Sequence, residues 1–135
     1  MKVFLDTNVL VSAFATRGLC ADLYRHVMVE QELVVGEVVL TELRRILRER
    51  LKVPAQDVAK IEASLREHTV VPRPQQHLAI GLKDSDDEWV VASAVAGGAD
   101  ILVTGDAELL AQASPPVRIT NPRGLWDMIR EIKPT

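Results

Sequence analysis

Carboxylates fall at four places along the 135-residue chain where they could do chemistry. Asp6 follows the apolar run "KVFL" and precedes Thr7 and Asn8. Glu42 stands in "LTELRRIL", beside Leu40 and Leu43. Four of the five residues in "DSDDE", Asp84 to Glu88, are acidic, and they lead into a stretch rich in valine and alanine. Asp106 closes "ILVTGD". Helix capping accounts for part of this pattern. Asp, Thr and Asn side chains cap helices that follow strands, and Ser85 with Glu88 three residues on matches a capping box. Acids in a first turn also gain about 0.3–1 kcal/mol each from the helix dipole. Capping does not require Asp84, Asp86 and Asp87 as well. Carboxylates gathered at one place repel unless a cation or bound protons offset their charge. An all-oxygen donor set favours a hard cation, Mg2+ or Mn2+. Cys20 and the histidines His26, His68 and His77 are scattered and do not suggest zinc. A carboxylate cage around Mg2+ suits phosphodiester hydrolysis, because the ion acidifies water, holds the phosphate and stabilises the leaving oxygen.

Four separate elements must bring these acids together. Apolar runs predict strands over 2–5, 33–35, 70–71, 100–104 and 117–120. Helical spacing is predicted from Asp6 to about Ala15 and over 21–30, 37–51, 55–67, 86–96 and 107–112. A last helix opens at Pro122, with Asn121 as its cap, and runs to about Ile132; residues 72–77, "PRPQQH", read as a loop. The alternation predicts an α/β fold of three layers, α/β/α, around a mainly parallel sheet of about five strands. In such sheets sites form at the carboxyl ends of the strands. Asp6 and Asp106 lie at such ends. Asp100 lies at the opposite end of its strand, roughly 20 Å from Asp106 at about 3.3 Å per residue, and reads as structural or solvated.

With 47% apolar and 26% charged residues, the composition is that of an ordinary globular domain, here spanning residues 1–135. A single cysteine excludes an internal disulfide and is compatible with a reducing compartment. No apolar stretch reaches the length of a membrane span, and the start has no signal-peptide pattern, so a cytoplasmic location without membrane contact is expected. The net charge of −3 argues against nucleic-acid binding through the overall field. A local basic face remains: Arg44, Arg45, Arg48, Arg50 and Lys52 follow Glu42 on the same predicted helix. It reads either as a phosphate-contacting rim or as a solvated face with internal ion pairs. Arg17 and Arg73, in loops, are further candidates for phosphate contact.

The arrangement resembles the PIN-domain family of metal-dependent ribonucleases, and more narrowly its VapC-like branch, the toxins of toxin–antitoxin pairs. The likeness runs from "FLDTNVLVSA" through "LVVGEVVLTELRRIL" and "DSDDEWVVASAVAGGADILVTGDAELL" to "RITNPRGLWDMI". It implies Asp6, Glu42, Asp87 and Asp106 as catalytic and metal-holding acids, with Asp86 and Glu88 one register either side of Asp87. It implies Asn8 and Thr104 as supports through hydrogen bonds, an RNA substrate and a protein antitoxin as partner. A homodimer is a further implication, for which the apolar side of the 21–30 segment, Leu23 and Val27, offers a face. Two other readings compete. One is an Asp-based phosphoryl-transfer domain of dehalogenase or response-regulator type. It wants a second Asp two residues after the first, where Asn8 stands, or an early acidic pair with a late Lys. The other is a non-catalytic interaction or RNA-binding module whose carboxylates are structural.

Overall fold

Unbroken apolar runs make the central strands of the computed structural model, which describes residues 1–76 and 79–132. His77 and the end of the 72–77 loop lie outside the described residues. In β1 (Lys2–Leu5), Val3, Phe4 and Leu5 are buried, as are all three residues of β4 (Ile101–Val103). Consecutive burial means that both faces of the sheet are covered, as parallel strands require. β2 (Glu32–Gly36), β3 (Thr69–Val71) and β5 (Arg118–Thr120) complete a five-stranded sheet of order β3-β2-β1-β4-β5, parallel throughout. The expected three-layer architecture is borne out; β2 and β3 run slightly longer than expected, and β4 and β5 slightly shorter.

Strand order decides where the site can form. The chain adds β2 and β3 on one side of β1, then crosses over and adds β4 and β5 on the other. The reversal opens a crevice between the carboxyl ends of β1 and β4. Register aligns Leu5 with Val103 and Phe4 with Val34. The next residues out, Asp6, Thr104 and Gly36, therefore share one row at the sheet edge. A Cβ on Gly36 would lie 3.0 Å from Phe4 Cζ and 3.3 Å from Ser93 Cβ. That crowding explains why a glycine without a capping side chain precedes the next helix.

Seven helices flank the sheet among the described residues: α1 (Thr7–Ala15), α2 (Leu19–Glu30), α3 (Glu37–Arg45), α4 (Ala55–Leu65), α5 (Ser85–Ala96), α6 (Ala107–Leu110) and α7 (Pro122–Ile132). Helix α5 buries five successive residues, Val90 to Ala94, so it is enclosed rather than amphipathic. It ends where Gly97 meets the sheet: a Cβ there would lie 2.6 Å from Val71 Cγ2 and 2.8 Å from Val34 Cγ1. Arg66 grips Glu37 through two hydrogen bonds, at 2.6 and 2.9 Å, and reaches Glu62 at 3.0 Å. Arg44 binds the same Glu62 at 2.9 and 3.1 Å. These exposed pairs each add little stability, but together they tie α4 to α3. Asn121 caps α7, accepting from Gly124 N at 2.7 Å.

Three expectations need correction. The helix expected over 37–51 is α-helical only to Arg45, then widens into a π turn over Ile46–Arg50. The wider turn keeps Leu47 buried but swings Leu51 out of the apolar stripe, to 45% exposure. The cap of α5 is Asp84, which accepts from Asp86 N at 2.9 Å, rather than Ser85. Glu88, the other half of the expected capping box, instead accepts from Ile80 N at 2.8 Å and holds the preceding segment. Leu23 and Val27 are fully buried in the molecule's own core and offer no dimer face.

Candidate active site

Asp6 follows β1 directly and is 4% exposed. Its Oδ1 accepts from Thr7 N at 2.7 Å, and its Oδ2 accepts from the Thr104 hydroxyl at 2.8 Å and from Asn8 Nδ2 at 3.2 Å. Thr104, also buried, accepts from Asn8 Nδ2 at 3.3 Å and from Asp106 N at 3.0 Å. Asn8 returns across the crevice, its Oδ1 accepting from Gly105 N at 2.9 Å. The two strand ends flanking the reversal are thus stitched together by Asp6, Asn8 and Thr104, and Asp6 keeps one orientation.

The other acids arrive from different elements. Asp106 caps α6, its Oδ1 accepting from Glu108 N at 2.9 Å and Leu109 N at 3.1 Å. Glu42 is half-buried on α3 and accepts from the Thr7 hydroxyl at 3.5 Å. That contact ties α3 to the start of α1. Asp87 lies in the first turn of α5. Among the described residues, no three His, Cys, Asp or Glu side chains come close enough to hold a metal ion as they stand. The acids nonetheless feel one another strongly. Burial, then the charges of Asp106, Asp84, Asp6 and Glu42, push the Asp87 carboxyl up to about 7. Burial and Asp6 raise Glu42, against the opposing pull of Arg45. Burial also raises Asp6, despite its hydrogen bonds from Thr104 and Thr7.

The neighbouring acids have other work. Glu88 is buried and bonded to Ile80 N, while Asp86 is exposed on the wall of a cleft. Asp100 lies at the far end of β4 and accepts from Lys2 N at 2.7 Å, a structural tie between β1 and β4. Of the basic residues on the Glu42 helix, Arg44 is bound to Glu62, and Arg48 donates to the Val53 carbonyl at 3.1 Å. Internal partners therefore engage both guanidinium groups. Arg45 has a looser partner, Glu49 at 3.6 Å, and lines the cleft beside Glu42. Arg17 lines a different cleft, with Asp22 and Arg25. Sequence reasoning did not single out Thr7 or Trp89. Thr7 adjoins Asp6 and could have been suspected; Trp89 carries no local signal that separates it from a core aromatic.

Comparison with known proteins places the fold. A family model described as PIN domain (PIN_3) matches residues 2–108. No curated protein matches. Among solved structures, VapBC2 from Rickettsia felis, bound to a DNA fragment from its promoter, superposes with a TM-score of 0.67. It shares 16% identity, over 90% of this chain and 98% of that one. A DNA-bound VapBC from Salmonella typhimurium gives 0.66 at 18% identity, over 90% and 98%. VapBC-1 from nontypeable Haemophilus influenzae gives 0.64 at 15%, over 91% and 99%.

Proposed function

Because this chain belongs to the PIN-domain family, we propose that it is a metal-dependent endoribonuclease, one nuclease domain over residues 1–135 that hydrolyses RNA phosphodiester bonds. The observation that carries the reading is the edge shared by the ends of β1 and β4, where Thr104 and Asn8 join Asp6 to the strand that leads into Asp106 and the Thr7 hydroxyl links Glu42 of α3 to the same place. The donors are all oxygen and their mutual repulsion is unrelieved, so their chemistry fits Mg2+ or Mn2+. Asp6, Glu42, Asp87 and Asp106 would hold the ion. When bound, it acidifies a water, holds the phosphate and steadies the leaving oxygen. The chain's own residues orient the site. Thr104 and Asn8 fix the Asp6 carboxylate, and Asn8 with Gly105 N sets the distance between the β1 and β4 ends. The α6 cap holds Asp106 in place through Oδ1. Asn8 is part of this bridge, at the place where a dehalogenase-type enzyme would need a second Asp, which counts against that form of the phosphoryl-transfer reading.

The solved relatives are VapBC pairs, and this supports a biological role as the toxin of a type II toxin–antitoxin pair, with a protein antitoxin as partner, in the cytoplasm. No helix among the described residues is long and apolar enough to cross a membrane. The open acid set favours one rival, a PIN-like module that binds without cleaving. Cleavage of single-stranded RNA in Mg2+ or Mn2+, lost in EDTA, separates the two. Asp6→Asn and Asp87→Asn should abolish that cleavage while circular dichroism stays unchanged. Undiminished cleavage after exhaustive chelation would overturn the proposal, and so would full activity in both variants.

A further inference from the structure

A cleft of about 200 Å3 adjoins the acid edge, between α3 and the start of α5. Glu42 and Asp86 line it toward the acids, and Thr41, Arg45, Arg73 and Trp89 are among its other lining residues. Its two cations differ from the other arginines nearby. Arg44 and Arg66 are held by carboxylates at 2.6–3.1 Å. Arg73 is exposed, and among the described residues it pairs with no carboxylate. Instead its guanidinium lies 4.2 Å from the centroid of the Trp89 ring. A guanidinium laid on an aromatic face keeps its charge and offers a planar surface outward. Nucleobases stack on such planes when they are unpaired, and a base within a duplex has no free face to offer. Arg45, whose pairing with Glu49 is exposed and long at 3.6 Å, lines the same cleft from α3 and can contact the adjoining phosphate.

We propose that the Trp89–Arg73 stack is a nucleotide subsite, taking the base of an unpaired RNA residue next to the bond to be cut, with Arg45 on its phosphate. The proposal rests on the nuclease reading and adds that the substrate is single-stranded at that position. The rim is therefore built from Arg45 on α3 and Arg73 on the loop before α5, whereas Arg44 and Arg48 serve the fold.

The test is equilibrium binding of a fluorescein-labelled single-stranded heptanucleotide, read by anisotropy. Ca2+ replaces Mg2+, and a gel checks that the probe stays intact. Arg73→Ala, an exposed substitution, should weaken binding about tenfold, the effect of losing one stacked base. Arg73→Lys should recover only part of that loss, because a point charge restores the field but not the plane. The same oligonucleotide in a perfect duplex should bind weakly and respond little to either variant. Wild-type affinity in Arg73→Ala, full recovery in Arg73→Lys, or no binding by the wild type would each overturn the subsite. Cleavage in Mg2+ is followed separately. Arg73-dependent binding without cleavage would retain the subsite and refute the nuclease reading; cleavage with Arg73-independent binding would do the reverse.

Discussion

Replacing Asp87 by Asn should make the metal-free protein more stable at pH 8. The folded-state value of Asp87 is raised from 3.8 to about 7. The folded protein therefore holds this proton across that interval while the unfolded chain has lost it. The stability linked to the bound proton is complete below about pH 4 and is gone above about pH 7. Three units at about 1.36 kcal/mol each would give roughly 4 kcal/mol. Asp87 is partly solvated, so screening reduces this to about 2 kcal/mol. Removing the charge also forfeits a dipole contribution of about 0.3–1 kcal/mol in the first turn of α5. The repulsion wins, and the variant should gain about 1–2 kcal/mol at pH 8, an upward shift of about 4–8 °C in Tm for a domain of this size. At pH 4.5 the wild-type carboxyl is already protonated and the difference should nearly vanish. The assay is a pair of melting curves in EDTA at each pH. A variant that melts lower at pH 8 would show that helix capping outweighs carboxylate repulsion. A gain of equal size at both pH values would refute the proton linkage.

Other perturbations test the remaining contacts. Mg2+ or Mn2+ at a hundredfold excess over Kd should stabilise the wild type by about 2.7 kcal/mol, and Asp87→Asn by clearly less; equal shifts in differential scanning fluorimetry would contradict the assignment of Asp87 as a ligand. Asp100→Asn should leave RNA cleavage near wild type, since that carboxylate serves Lys2 N at the far end of the sheet, whereas Asp106→Asn should lose it; inverted activities would place the site at the wrong end. Thr104→Val removes a donor to Asp6 and an acceptor for Asn8 and Asp106 N, and urea denaturation should register a loss of about 1–3 kcal/mol. Gly97→Ala should destabilise by a comparable amount, about 1–3 kcal/mol, because its Cβ would overlap Val71 and Val34; a neutral change would mean that α5 can shift freely.

The architecture was legible because parallel strands leave apolar runs and the acids follow them. Asp6 and Asp106 could be placed at the carboxyl edge of the sheet from strand direction alone. Glu42 could be placed on its helix, but its link to the edge, through Thr7, depends on how α3 packs against α1. The cap of α5 was misassigned because Asp84 and Ser85 are both good capping residues, and the choice between them depends on Glu88 being recruited by Ile80 N. Leu23 and Val27 have the same spacing whether they face solvent, a partner or their own core. The π turn left no mark either: "RRILRER" is a good α-helical sequence, and the hydrogen bond of Arg48 to the Val53 carbonyl at the helix exit is not encoded in its periodicity. The π turn and the salt-bridge partners of Arg44 depend on residues distant in the chain or on the helix exit, which periodicity does not encode.

The central position of β1 also governs when the site can exist. Strands β1, β2 and β3 are complete by Val71 and can pair while the rest of the chain is still being made. The hydrogen bond between Thr104 and Asp6 joins residues 98 positions apart, and β1 lacks its second neighbour until Val103 is available. At about 5–20 residues per second of synthesis, the first acid waits several seconds for the last. A nascent chain therefore carries Asp6 with its local partners, Thr7 and Asn8, but without the Thr104 hydroxyl until that strand has been made. The four acids therefore come together late, when the second half of the sheet docks, and a chain ending before β4 lacks both Asp106 and the Thr104 hydroxyl that bonds Asp6.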